Sequence, residues 1–135
     1  MTMDIKNTAK NIGEASNGVE PKTHTIDAKG KKLGRIATEA AKLLMEKDMP
    51  SFEKHRKLGS KVLITNASKL SITEKRGDEV RYVRASGYPG NRIDETINDV
   101  RTKHGIGEVV RRAVKGMIPK NKLRPDMLKR LEVTE

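Results

Sequence analysis

Three consecutive blocks near the start of the chain restrict the fold more than any other feature. Thr23 to Ala28 is short, carries β-branched residues and stops at Lys29-Gly30, which reads as a strand and a turn. Leu33, Ile36, Ala37, Ala40 and Leu44 then recur at helical spacing with Glu39, Lys42 and Glu46 between them, and the helix ends before Pro50. Val62, Leu63 and Ile64 follow as a compact apolar run between Gly59-Ser60-Lys61 and Asn66, the pattern of a buried strand. Strand, amphipathic helix and buried strand in that order predict a parallel pair joined by a crossover helix. The class is α/β.

Glu79 to Ala85 has strand character and runs into the glycine-rich turn Ser86-Gly87-Tyr88-Pro89-Gly90-Asn91. The C-terminal third reads as helical. Ile106, Val109, Val110, Ala113, Val114 and Met117 keep helical spacing for three turns. Pro125 can open a last short helix with Met127, Leu128 and Leu131, and Leu131 to Thr134 also reads as a final strand. Residues 1–22 stand apart, rich in Asn, Thr, Ser, Gly and Lys, with isolated Ile5, Ile12 and Val19 and no sustained period. They are expected to form a flexible extension, leaving 23–135 as a single domain. There is no internal repeat.

The length of 135 residues suits one domain, but Lys plus Arg exceed Asp plus Glu by 29 to 18, a formal charge of +11. So large an excess repels itself in an isolated fold and implies an anionic partner, a polyphosphate backbone or an acidic membrane surface. No apolar run is long enough to span a bilayer, and no signal peptide with a hydrophobic centre is present. Without cysteine there is no disulfide and no cysteine-ligated zinc, and His24, His55 and His104 lack metal-ligand spacing. The expectation is a soluble, cytoplasmic, basic domain with no metal and no cofactor.

Candidate binding residues fall into clusters. Glu108, Arg111, Arg112 and Lys115 form one stripe opposite the apolar face of the penultimate helix. An ordinary solvated face is one reading. The other is a phosphate-facing surface, favoured because Arg101 to Arg130 holds ten Lys or Arg against two acids, Glu108 and Asp126. Lys29, Lys31, Lys32 and Arg35 surround the start of the first long helix, where cations oppose the helix dipole unless a phosphate sits there. A solvated turn accounts for them equally well. His55, Arg56 and Lys57, with Lys54, make a basic loop; Lys75 and Arg76 make another beside Gly77; Arg81 and Arg84 lie in the strand before the glycine turn. Phe52, Tyr82 and Tyr88 are the only aromatics, which argues against a base-stacking sheet and for recognition through shape, phosphates and 2′-hydroxyls. Within Gly87, Tyr88, Pro89 and Gly90, the tyrosine either stacks on one base or anchors the turn.

The enzyme reading is weak. Lys29-Gly30-Lys31-Lys32-Leu33-Gly34 has neither the dinucleotide glycine spacing nor the Gly-Lys-Ser/Thr ending of a phosphate loop. Asp27 would sit at a strand end, where open sheets bind ligands, but without a partner base it reads as a turn stabiliser. No catalytic residue is assigned.

Ile26-Asp27-Ala28 with Leu33-Gly34-Arg35-Ile36-Ala37, then Val62-Leu63-Ile64-Thr65-Asn66-Ala67, Ser86-Gly87-Tyr88-Pro89-Gly90 and Val114-Lys115-Gly116-Met117-Ile118-Pro119-Lys120-Asn121 occur in fixed order. Together they resemble the universal large-subunit ribosomal protein family L thirteen, over roughly residues 24 to 133. The chain departs from the usual pattern at His24, Ser60, Glu74, Ala85 and Leu123-Arg124. The resemblance implies a small three-layer α/β/α domain with a mainly parallel sheet of about four strands. It implies binding to 23S-type rRNA early in large-subunit assembly, through the clusters above together with Lys120, Asn121 and Lys122. Neighbouring ribosomal proteins would be secondary partners, with no membrane and no small-molecule substrate. A free-standing RNA-binding regulator or RNA chaperone is the alternative function, and a nucleotide-dependent enzyme a more distant one.

Overall fold

A computed structural model describes residues 22–55 and 59–135. The extension expected at Met1 to Pro21 and the candidate residues Arg56 and Lys57 lie outside the described residues. Strand β1 (Thr23–Asp27) leads through a turn into helix α1 (Leu33–Leu44), and the chain returns as β2 (Lys61–Thr65), parallel to β1 from Thr23↔Lys61 to Asp27↔Thr65. This is the crossover unit expected from the sequence. The helix buries Ile36, Ala37, Ala40, Ala41 and Leu44 on one stripe, and the alanines let another helix approach closely. The last strand, β5 (Leu131–Val133), pairs parallel to β2 on its other side, giving the order β1-β2-β5. The central place of β2 explains its apolar run: Val62 and Ile64 are buried, and Leu63 between them is half-buried.

Between these parallel strands the chain makes a second unit. After a 3₁₀ turn (Ala67–Lys69) come α2 (Glu74–Glu79), β3 (Arg81–Ala85) and β4 (Arg92–Thr96). β3 and β4 form an antiparallel hairpin of their own, pairing Tyr82 with Glu95 and Arg84 with Ile93. The sheet is thus mainly parallel with three strands, and the remaining strand character belongs to this separate pair. Strand character expected from Glu79 begins at Arg81, because Glu79 closes α2. Gly77 in α2 presses on α3: a Cβ there would meet Asn98 Oδ1 at 2.7 Å, and Asn98 Nδ2 donates to Asp78 Oδ1 at 2.8 Å.

Helix α3 (Ile97–His104) opens on a capping box, with Thr96 Oγ1 accepting from the Asp99 N–H and the Asp99 carboxylate accepting from the Thr96 N–H. Gly105, at φ 84°, turns the chain into α4 (Ile106–Met117), and α5 (Arg124–Lys129) precedes β5. Two apolar clusters make the core. One joins α1 and the parallel strands to Val110, Val114, Ile118 and Met127; the other joins Ala67, Ile97 and Val100 to Ile106 and Val109. Helix α4 belongs to both, because Val109 and Val110 point to adjacent sides. The loop after α1 is held by the buried Glu46, whose carboxylate accepts from the Ser60 N–H at 2.7 Å.

Candidate nucleic-acid interface

The stripe on α4 does not behave as a unit. Arg111 and Lys115 are exposed, as the burial of Val109, Val110 and Val114 requires. Arg112 turns back onto the protein, its side chain only 27% exposed. Its Nε lies 3.1 Å from Glu108, an Nη lies 3.5 Å from Glu95 on β4, and its guanidinium sits 5.1 Å from the centre of the Tyr82 ring. Tyr82 is pushed above the ordinary tyrosine range by burial, an effect Arg112 opposes. The Glu95 carboxyl is held below its usual range by the hydrogen bond from Lys103 and, more weakly, by Arg112. Arg112 is therefore the brace between α4 and the hairpin, and Arg111 and Lys115 are the side chains turned to solvent.

The brace leaves a cleft of about 570 Å³ between the hairpin and helices α4 and α5. Arg84 enters it from β3, Arg111, Arg112 and Lys115 from α4, and Arg124 from the start of α5, against the acids Glu95 and Glu108. Both acids already bind Arg112, and Glu95 also binds Lys103 at 3.2 Å, so little negative charge is left for the other cations. Arg124 is fixed from below. Its Nη2 donates to the Lys115 carbonyl, one of the acceptors left over where α4 ends. Its Nε is buried without a hydrogen-bond partner among the described residues. In the sequence Arg124 stands out only as a departure from the family pattern, and Pro125 signals a helix start there but not the side chain's place in a cleft.

The other candidates lie around the starts of α1 and α2, in the loop before β2, between α4 and α5, and at the hairpin tip. Lys29, Lys31, Lys32 and Arg35 are exposed around the α1 start, and Lys32 shares a small hollow of about 110 Å³ with Arg76 of α2. Two of the lysines have neighbouring acids, with Lys31 3.7 Å from Glu39 and Lys75 3.7 Å from Glu79. Asp27 accepts from the Lys29 N–H at 3.1 Å and from Asn66 Nδ2 at 3.0 Å, and these bonds hold its carboxyl below the usual range. It stabilises the turn, as the sequence suggested. His55 is exposed 3.4 Å from Glu53. Lys120, Asn121 and Lys122 are exposed between α4 and α5.

At the hairpin tip, Gly87 and Gly90 have φ of 86° and 80°, values that favour glycine. Asn91 holds the turn, its N–H donating to the Tyr88 carbonyl at 3.1 Å and its Nδ2 to Ser86 Oγ at 2.8 Å. Tyr88 is 79% exposed. Its ring lies in solvent and does not anchor the turn, which is held through the Tyr88 carbonyl and Ser86. Among the described residues there is no group of His, Cys, Asp or Glu able to hold a metal ion, and no helix long and apolar enough to cross a membrane.

Comparison with known proteins bears on this geometry. The family model described as ribosomal protein L13 matches residues 21–135. The large ribosomal subunit protein uL13 of Dehalococcoides mccartyi is 41% identical over 121 residues, covering 89% of this chain and 83% of the relative. That of Moorella thermoacetica is 45% identical over 116 residues, covering 85% and 79%. That of Thermotoga maritima is 43% identical over 115 residues, covering 85% and 76%. The chain belongs to the ribosomal protein L13 family.

Proposed function

We propose that this chain is a structural constituent of the large ribosomal subunit that binds 23S-type rRNA and supports early assembly of the subunit, in the cytoplasm and without catalysing a reaction. The observation that carries the reading is the cleft in which Arg84, Arg111, Lys115 and Arg124 converge while Glu95 and Glu108 are occupied by Arg112. Such a site neutralises phosphates. Neutralising them lets RNA segments that repel one another lie together, and the displaced counterions supply the driving force. The lysines around α1 and the residues at Lys120 to Lys122 place further cations on other parts of the domain, so one protein can touch more than one RNA segment. Asp27, the one carboxylate at a strand end with catalytic potential, is committed to its turn.

Sucrose-gradient fractionation of a lysate tests the reading. The chain is expected to sediment with the large subunit and to remain there through moderate salt washes. Finding most of it free, or equally on small subunits, overturns the assignment and favours a dissociable RNA regulator.

A further inference from the structure

A second hollow, of about 660 Å³, opens beyond the C-terminal end of α4 and has the size of an ordinary small-ligand pocket. Its floor is apolar, formed by Met45, Phe52, Met117 and Pro119. Its rim carries Lys47, Lys54 and Lys120 against one acid, Glu53. Met117 is 42% exposed, with its sulfur 3.0 Å from the Thr38 hydroxyl. Phe52, the only phenylalanine of the chain, is here as well. An apolar floor beneath a cationic rim matches a flat, polarizable group attached to a phosphate.

The hollow and the cationic cleft meet at Gly116, which lines both. Gly116 is the penultimate residue of α4, has no positive φ, and a Cβ built on it would meet nothing within 4 Å. Gly34 near the start of α1 is equally open, and Gly116 differs from it in lining both the hollow and the cleft. Neither backbone conformation nor internal packing asks for glycine, and glycine weakens a helix. Gly77, by contrast, is explained by its contact with Asn98. What the missing side chain at Gly116 provides is a bare passage from the cleft to the hollow.

We infer that the hollow receives a single unstacked base of the bound RNA, with the backbone of that strand crossing Gly116 and its phosphates held by Lys115 and Arg124 on one side and Lys120 on the other. This deepens the rRNA-binding reading and rests on it. The base lies on Met117, Pro119 and Phe52, which offer the polarizable and aromatic surface that unpaired bases use. Continuity with the cationic cleft favours an RNA occupant over a protein segment.

The test uses the full chain, a variant Gly116→Leu and a control Gly116→Ala, bound to a protein-free 23S-type rRNA transcript carrying 4-thiouridine. After irradiation, peptides bearing nucleotide adducts are mapped by mass spectrometry. The parent chain is expected to give adducts on peptides containing Phe52 to Lys54 or Met117 to Lys120. Gly116→Leu is expected to lower those adducts about tenfold, the affinity worth of one stacked base. It is expected to do so while retaining the parent's melting temperature or exceeding it, because leucine is the better helix former. Gly116→Ala is expected to fall between the two in adduct yield.

Adducts confined to the hairpin tip around Tyr88, or an undiminished pocket adduct in Gly116→Leu, overturn the inference and leave the rRNA-binding reading standing. A bifunctional amine reagent applied to intact large subunits gives a further outcome. Linkage of Lys54 or Lys120 to another protein, with no nucleotide adduct in the pocket, assigns the hollow to a protein instead. A parent chain that does not retain the transcript at physiological salt removes the function reading and this inference together.

Discussion

Replacing Arg111 and Lys115 with Gln, and separately Arg112 with Gln, separates a side chain that binds from one that braces. In the double variant two exposed cations are lost. Their mutual repulsion at i,i+4 costs the helix about 0.2–0.5 kcal/mol, while Lys115 in the last turn gains about 0.3–1 kcal/mol from the helix dipole. These nearly cancel, so the melting temperature is expected to stay within about 2 °C of the parent, from the usual few degrees per kcal/mol. Binding responds instead. Each lost phosphate contact withholds counterion release, so the slope of log affinity against log salt flattens by about 0.7–0.9 per contact, or about 1.4–1.8 for two.

Arg112→Gln reverses the pattern. It removes the pairs with Glu108 and Glu95 and the contact over Tyr82. Partly exposed pairs contribute about 0.2–1 kcal/mol each and the ring contact about 0.5–1 kcal/mol, so the total is about 1–3 kcal/mol. The melting temperature falls by about 4–15 °C on that basis, with the salt slope nearly unchanged. Thermal unfolding by circular dichroism and rRNA-fragment binding from low to high salt read both quantities. A stable Arg112→Gln protein whose salt slope flattens as much as that of the double variant would refute the partition of the stripe.

Three further outcomes test other parts of the structure. Val110, fully buried between α4 and α1, is expected to cost roughly 2–4 kcal/mol when replaced by Gln, since packing is lost and an amide is buried without a partner, as read by chemical denaturation. Tyr88→Ala is expected to leave the melting temperature unchanged and to weaken rRNA-fragment binding by about 1–3 kcal/mol if the ring stacks on a base; unchanged affinity removes that role. Asp27, Asp94, Glu95 and Asp99 have folded-state pKa values below their ordinary ones, so their stabilisation is present above the ordinary carboxylate range and is lost as pH falls through the lower folded values. An acid titration of melting temperature is expected to stay flat down to the ordinary carboxylate range and decline below it, and Asp99→Asn is expected to make that decline shallower.

The parallel unit was legible because its parts carry the marks of burial. The unbroken apolar run Val62-Leu63-Ile64 signals a central strand and the stripe at Ile36, Ala40 and Leu44 a helix covered on one face, and the structure buries Val62, Ile64 and that stripe. Strand β4 escaped notice for the converse reason. Arg92-Ile93-Asp94-Glu95-Thr96 is exposed over most of its length, so no buried face imposes alternation, and only pairing with β3 makes it a strand. Helix α2 has six residues and no apolar side chain, and it is held by Gly77 lying against α3. The candidate stripe was half legible. Helical periodicity places Arg111, Arg112 and Lys115 on the polar side, but which of them turns inward depends on Glu95, and the register that brings Glu95 near α4 is a tertiary fact. Glu46 shows the same limit, since its spacing suggested a solvated helix face and the structure buries it against Ser60.

The acids of the hairpin and α3 decide where the surplus of cations becomes useful. Asp94 pairs with Arg92 at 2.9 Å, Asp99 caps α3, and Glu95 and Glu108 hold Lys103 and Arg112. Each of these bonds shapes the fold, and each removes a negative group from the reach of Arg84, Arg111, Lys115 and Arg124. A charge of +11 spread evenly would give weak attraction to any polyanion. Here the acids are drawn into structural bonds on the hairpin side of the cleft, and the uncompensated cations face one another across it. Mutual repulsion of that kind lowers the stability of the isolated protein and would be relieved by phosphates in the cleft. On the proposed function, the arrangement that makes the domain costly to fold alone is the one that would give rRNA binding a defined place.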